Sequence, residues 1–147
     1  MKKFSYLLLF VLGFSTLFFA CTKEEIDARV FVQQKIIGTW PLKYRIQSIY
    51  HDEILKQRDT LNAGLQVDTL VFDANGTVVR RYRTILATDT YSIDETATNI
   101  TFVGPPEVTQ KISFVRQNSL GFSTEDTIDS ATVKIRTVTE DQLIKTN

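Results

Sequence analysis

The chain is poor in the residues that build metal and disulfide sites. Its 147 residues include one cysteine, Cys21, and one histidine, His51. A single cysteine excludes an intramolecular disulfide, a thiolate metal cage and a CxxC redox pair. A single histidine excludes a two-histidine metal motif. His51 precedes Asp52 and Glu53, but neighbouring strand residues point to opposite faces, so we interpret this triplet as a solvated strand end. The sequence therefore predicts no metal site.

The sequence also lacks catalytic signatures and an excess of basic residues. It contains no Gly-x-Ser-x-Gly motif and no phosphate-binding glycine loop, and no spacing singles out a carboxylate pair. The first twenty residues hold two lysines and no acid, which leaves 15 basic and 17 acidic residues in 21–147. The one basic run, Arg80-Arg81-x-Arg83, is divided between two strand faces, and we interpret it as a solvated outer face paired with acids. We therefore predict no enzymatic activity, no cofactor and no nucleic-acid partner.

The first twenty residues have the layout of a secretory signal. Lys2 and Lys3 form a positive start, and an uninterrupted hydrophobic run follows as far as Ala20. The alternative, a transmembrane anchor, needs about 20 apolar residues, and this run is shorter. Cys21 directly follows the small residue Ala20, and this junction resembles a bacterial lipobox. The resemblance implies cleavage before Cys21, acylation of its thiol (by palmitate, for example) and attachment to the outer membrane.

The segment after Cys21 supports two interpretations. Lys23-Glu24-Glu25 resembles the sorting signal of surface-exposed lipoproteins in some Gram-negative bacteria. The pair Thr22 and Glu25 also fits a helix capping box. Helical spacing of apolar residues from Ile26 onward predicts a short helix, with Gly38 as its stop. We therefore assign 1–20 to a signal peptide, 21–35 to the lipidated N-terminus and a lead-in helix, and 36–147 to one domain. The sequence leaves open whether the anchored domain lies on the cell-surface side or the periplasmic side of the outer membrane.

From Trp40 the hydrophobic period changes from helical to two, as in a half-buried strand. Asn75-Gly76 is a strong hairpin signal, and Gly104-Pro105-Pro106 interrupts the pattern because proline cannot continue a central ladder. We predict no regular strand over 117–130, and at most a short one near Ile54 and Leu55. Further strands are predicted over 65–72, 77–85, 91–93, 100–103, 108–115, 131–138 and 143–145. About eight short strands with tight turns indicate an all-β, closed antiparallel barrel, with a two-sheet sandwich as the alternative.

Four landmarks resemble the lipocalins and the lipocalin-like domains of bacterial lipoproteins. The first is Gly38-Thr39-Trp40, and the others lie at 69–78, 91–102 and 133–143. The resemblance implies a barrel open at one end, with an apolar interior for a small hydrophobic ligand. It also implies a late arginine packed across Trp40, for which Arg136 is the candidate. The predicted cavity-lining residues are Trp40, Leu42, Tyr44, Ile46, Tyr50, Phe72, Tyr91 and Phe102.

Two functions remain open at this level. An eight-stranded barrel can hold one small ligand or be filled by its own side chains. The first case predicts a lipid-anchored monomer at the outer membrane that binds a small hydrophobic ligand. The second predicts an interaction module without a ligand, which docks a protein or a glycan at the cell surface.

Overall fold

The computed structural model describes residues 27–62, 68–82 and 85–146. The predicted signal peptide and Cys21 lie outside these residues. No helix in the described ranges is long and apolar enough to cross a membrane. The elements, in chain order, are α1 (Ala28–Ile36), β1 (Gly38–His51), β2 (Ile54–Asn62), β3 (Thr69–Phe72), β4 (Thr77–Tyr82), β5 (Ile85–Ile93), β6 (Asn99–Val103), β7 (Val108–Val115), β8 (Ser119–Asp129) and β9 (Lys134–Ile144).

Eight of these strands close into an antiparallel barrel. Strands β3 to β9 pair in sequence order, β1 pairs with β3 through its first four residues, and β9 pairs with β1 over the rest of that strand. Closure gives each of the eight ring strands a hydrogen-bonded neighbour on both sides. The prediction of an all-β antiparallel barrel preceded by a short helix is confirmed, and the sandwich alternative is wrong.

The long strand β1 also carries β2, which stands outside the closed ring. Residues 44–51 of β1 pair with β2 on one side and with β9 on the other. Every residue of β2 is exposed. Because no face of β2 is buried, the sequence has no alternation there, and the predicted short strand near Ile54 underestimated its length.

Strand β8 corrects the prediction for 117–130. It spans Ser119–Asp129 and pairs along its whole length with β9. Only its first part is buried, through Leu120, Gly121 and Phe122, and its last five residues are exposed. Backbone pairing with β9, rather than burial of one face, defines the outer half of β8. Such a strand leaves no hydrophobic period in the sequence.

Helix α1 packs against the end of the barrel where β1 begins. It starts after Asp27, whose side chain accepts a hydrogen bond from the Arg29 amide at 2.8 Å. Val32 and Ile36 are buried in one cluster with Trp40. The Trp40 indole Nε1 donates to the Ile36 carbonyl at 2.6 Å, which fixes the helix end to the first strand. This contact gives Trp40 a structural role.

Aromatic rings fill the barrel next to α1. Phe72 meets Tyr91 edge to face at 5.0 Å between ring centroids, and it lies 6.3 Å from both Phe102 and Phe122. Phe102 and Phe122 are perpendicular at 6.1 Å. These distances are typical of favourable aromatic pairs. The helix-proximal half of the barrel is therefore a packed core, and any interior space lies in the other half.

Candidate functional site

The barrel contains a cavity of about 330 Å³ in the half remote from α1. Its wall begins at Leu42, two residues beyond the buried Trp40, and continues along β1 to Arg45. The apolar part of the wall consists of Leu42, Leu70, Ala87, Phe102, Val108, Phe122 and Leu143. The polar part consists of Arg45, Asp68, Thr69, Arg80, Arg81, Gln110 and Asp141. The cavity is therefore amphipathic, which differs from the apolar interior that the lipocalin resemblance implies.

One ion pair in the wall joins the first and last strands of the barrel. Arg45 and Asp141 are direct cross-strand partners. The Arg45 Nε donates to Asp141 Oδ1 at 2.6 Å, and Nη2 donates to Oδ2 at 2.7 Å. This two-point geometry is the strong form of an arginine–carboxylate contact. The arginine is the more exposed partner, with 40% of its side chain accessible against 22% for Asp141.

A second ion pair lies deeper in the barrel. Arg80 Nε and Nη2 both donate to Asp89 Oδ2, at 2.7 and 2.5 Å. The Arg80 guanidinium carbon also lies 5.8 Å from the centroid of the Phe102 ring. Only 9% of the Asp89 side chain is exposed, against 32% for Arg80. The interpretation of Arg80 as part of a solvated outer face is therefore wrong, although its predicted pairing with an acid is correct.

Glycine at position 104 makes room for this second pair. A Cβ added to Gly104 would lie 2.9 Å from the carboxyl carbon of Asp89 and 3.3 Å from Arg80 Nη2. Both distances are below ordinary van der Waals contact, so any side chain there would displace the pair. The absence of a side chain at Gly104, directly after β6, thus leaves space for the Arg80–Asp89 pair.

A β-bulge decides which residues of β1 face the cavity. Leu42 is opposite Leu143 and Tyr44 is opposite Gln142, so Lys43 is an extra residue without a cross-strand partner. One inserted residue exchanges the two faces of the strand beyond it. Arg45 therefore lines the cavity, where strict alternation from Trp40 predicts Tyr44.

The structure separates the predicted cavity-lining residues into three groups. Leu42 and Phe102 line the cavity. Trp40, Phe72 and Tyr91 are buried in the core next to α1 and do not line it. Tyr44, Ile46 and Tyr50 lie beyond the bulge on the face opposite to Arg45, so their prediction as cavity residues is wrong. The physical reason is the bulge, which the sequence alone gives no sign of.

The predicted role of Arg136 is also wrong. Its guanidinium carbon lies 4.2 Å from the Tyr50 ring centroid, and Tyr50 is its cross-strand partner, ten residues along β1 from Trp40. Arg136 also forms ion pairs with Glu53 at 2.9 Å and Glu125 at 3.4 Å. The cation above the Trp40 ring is Lys145, whose Nζ lies 5.3 Å from the centroid.

Tyr50 and Arg136 belong to a polar groove of about 500 Å³ on the outer side of the barrel. Its lining is rich in hydroxyl, amide and charged groups: Tyr50, Asn99, Thr109, Lys111, Ser123, Thr124, Glu125, Asp126, Arg136 and Val138. Asn99 and Lys111 are cross-strand partners and alternate with the buried Ile100, which places them outside. The groove is thus separate from the interior cavity.

No group of three metal-ligating side chains occurs within 27–62, 68–82 and 85–146. When the chain is compared with protein-family models, curated proteins and solved structures, none of them matches it significantly. The barrel itself is compatible with a lipocalin-like fold. The cavity and the groove are therefore the features of this barrel that bear on its function.

Proposed function

We propose that this chain is a lipid-anchored, lipocalin-like protein of the outer membrane that binds a small, largely apolar molecule inside its barrel. The observation that carries the proposal is the cavity of about 330 Å³, which lies in the barrel next to a packed aromatic core. Small-molecule sites are concave, mostly apolar and contain a few polar groups, with volumes from roughly 300 Å³ upward. The cavity meets the condition of volume, and its wall combines seven apolar residues with seven polar ones.

A cavity-filling substitution tests ligand binding. Native mass spectrometry of the protein purified from its host envelope should show a co-purifying small molecule. Ala87 lines the cavity, so Ala87→Phe should remove that molecule. The matched control is Ala131→Phe, which adds the same ring at an exposed position between β8 and β9. A parent protein without any bound molecule, or an Ala87→Phe variant that retains it, would contradict the proposal.

The lipid anchor is supported by the sequence around Cys21 alone, and it has its own test. Metabolic labelling with a fatty-acid analogue should label the parent chain and leave the Cys21→Ala variant unlabelled. Because Cys21 is the only cysteine, no second thiol can confuse the result. Label that persists in the variant, or its absence from the parent, would refute the anchor without affecting the cavity.

The outer groove favours a second function, the docking of a glycan. Its hydroxyl, amide and carboxylate groups are those that hydrogen-bond sugars, and the Tyr50 ring supplies one apolar surface. A glycan array would test it, with Tyr50→Ala as the variant that should lose binding. Glycan binding that is unchanged in this variant would exclude the groove.

A further inference from the structure

We propose that the head group of the cavity ligand is an anion, of which a carboxylate is the simplest example. This inference rests on the proposed binding function and specifies the ligand class of the same cavity. It comes from the charged part of the wall, since the apolar part alone would accept any small hydrophobic molecule.

The lining carries more accessible positive than negative charge. Three arginines (Arg45, Arg80 and Arg81) and two aspartates (Asp68 and Asp141) contribute to it. In both ion pairs the arginine side chain is the more exposed member. The exposed fraction is 40% for Arg45 against 22% for Asp141, and 32% for Arg80 against 9% for Asp89. The guanidinium group is therefore the more accessible partner in both ion pairs.

In the described residues the two ion pairs leave two groups unused, the Nη1 donor of Arg80 and Oδ1 of the less exposed Asp89. Both oxygens of Asp141 already accept hydrogen bonds from Arg45. Arg80 uses Nε and Nη2 for Asp89, and its Nη1 donates to no other residue in the described ranges. A guanidinium has donors and no acceptor, so its remaining groups can bind only an acceptor. A carboxylate satisfies them with charge-assisted bonds, while an ammonium group would meet like charge.

The apolar wall sets the size and the orientation of the ligand. At about 30 Å³ for each water-sized group, 330 Å³ has room for roughly ten non-hydrogen atoms. Phe102, Phe122 and Val108 would contact the apolar body of such a molecule. Arg80 lies against the Phe102 ring, so the charged and apolar parts of the wall are adjacent. A compact amphiphile can therefore use both at once.

Three probes with the same number of carbon atoms but different head groups test the inference: octanoate, 1-octanol and octylammonium. Titration calorimetry on the purified full chain should give the tightest binding for octanoate, by about tenfold over octylammonium, which corresponds to about 1.4 kcal/mol. If 1-octanol or octylammonium binds as tightly as octanoate, the anionic head group is refuted while the cavity function stands. If none of the three binds, the proposed cavity function fails as well.

Two neutral replacements of the ion pairs locate the effect. Arg45→Gln/Asp141→Asn and Arg80→Gln/Asp89→Asn each remove one guanidinium without changing the net charge or leaving a carboxylate unpaired. Each should reduce the preference for octanoate, and Asp27→Asn/Arg29→Gln, which replaces an exposed pair on α1, should not. Circular dichroism verifies that each variant is folded. A preference that survives both cavity replacements would overturn the inference.

Discussion

The packing of α1 against the barrel allows the effect of one substitution, Ile36→Ala, on the free energy of unfolding to be calculated. Ile36 is the last residue of the helix and is fully buried, with 0% exposure, beside Trp40. Ile36→Ala removes three carbon atoms, and about 0.8 kcal/mol for each gives about 2.4 kcal/mol. A residual cavity of about 40 Å³ at about 24 cal/mol per Å³ adds about 1 kcal/mol. The expected loss in the free energy of unfolding is therefore about 3 kcal/mol.

The substitution leaves the hydrogen bond from Trp40 Nε1 to the Ile36 carbonyl available, because that bond uses the backbone of residue 36. Trp40 is the only tryptophan of the chain, so its fluorescence reports this end of the barrel alone. With a slope of about 2 kcal/mol per molar urea, the unfolding midpoint should fall by about 1.5 M. Urea titration followed by tryptophan fluorescence and by circular dichroism measures this change.

The matched control is Ile54→Ala at the start of β2, where the isoleucine is 61% exposed. An exposed strand position should cost less than about 1 kcal/mol. If Ile36→Ala costs no more than this control, α1 does not pack against the barrel, and the assignment of a closed, helix-capped end is refuted.

Two titrations provide further predictions. Burial, and then the negative charge of Asp73, raise the pKa of the Tyr91 hydroxyl above its ordinary value of 10.0. The contribution of Tyr91 to the free energy of unfolding is therefore complete below pH 10. It is lost as the pH rises through the raised pKa of the folded state. Ultraviolet difference spectra should show one late-titrating tyrosine that disappears in Tyr91→Phe, and no change in that variant would contradict the burial. Hydrogen bonding, first from the Asn99 amide and also from Thr98, lowers the pKa of Asp94 below its ordinary value of 3.8. Its contribution is present above that value and is lost as the pH falls through the folded pKa, so NMR should show the amide signals of Thr98 and Asn99 shifting at a pH below 3.8. Shifts centred above 3.8 would contradict the hydrogen bonds.

The barrel could be predicted from the sequence because its helix-proximal half obeys simple periodicity. Trp40, Phe72 and Phe102 are all buried or nearly so, at positions where the strand period places apolar residues on one face. The hairpin at Asn75-Gly76 also lies where predicted, with Gly76 at φ +83. In contrast, β2 and the outer half of β8 bury little, so no hydrophobic period marks them.

The cavity could not be predicted in the same way. The bulge at Lys43 exchanges the faces of β1, and it depends on how that strand pairs with β9, about a hundred residues later. The same long-range pairing brings Arg45 to Asp141, and the sequence of either strand gives no indication of its partner. Arg80 is inside the barrel because its neighbour in space, Asp89, compensates its charge.

The sequence by itself therefore determined the class of the fold and the place of the helix, because these follow from local periodicity and turn chemistry. It also defined the predicted anchor at Cys21, a short-range motif. Tertiary structure alone decided which residues face the cavity and that its wall is charged. Register, bulges and buried ion pairs are properties of strands meeting in space, and the proposed ligand chemistry of this barrel depends on them.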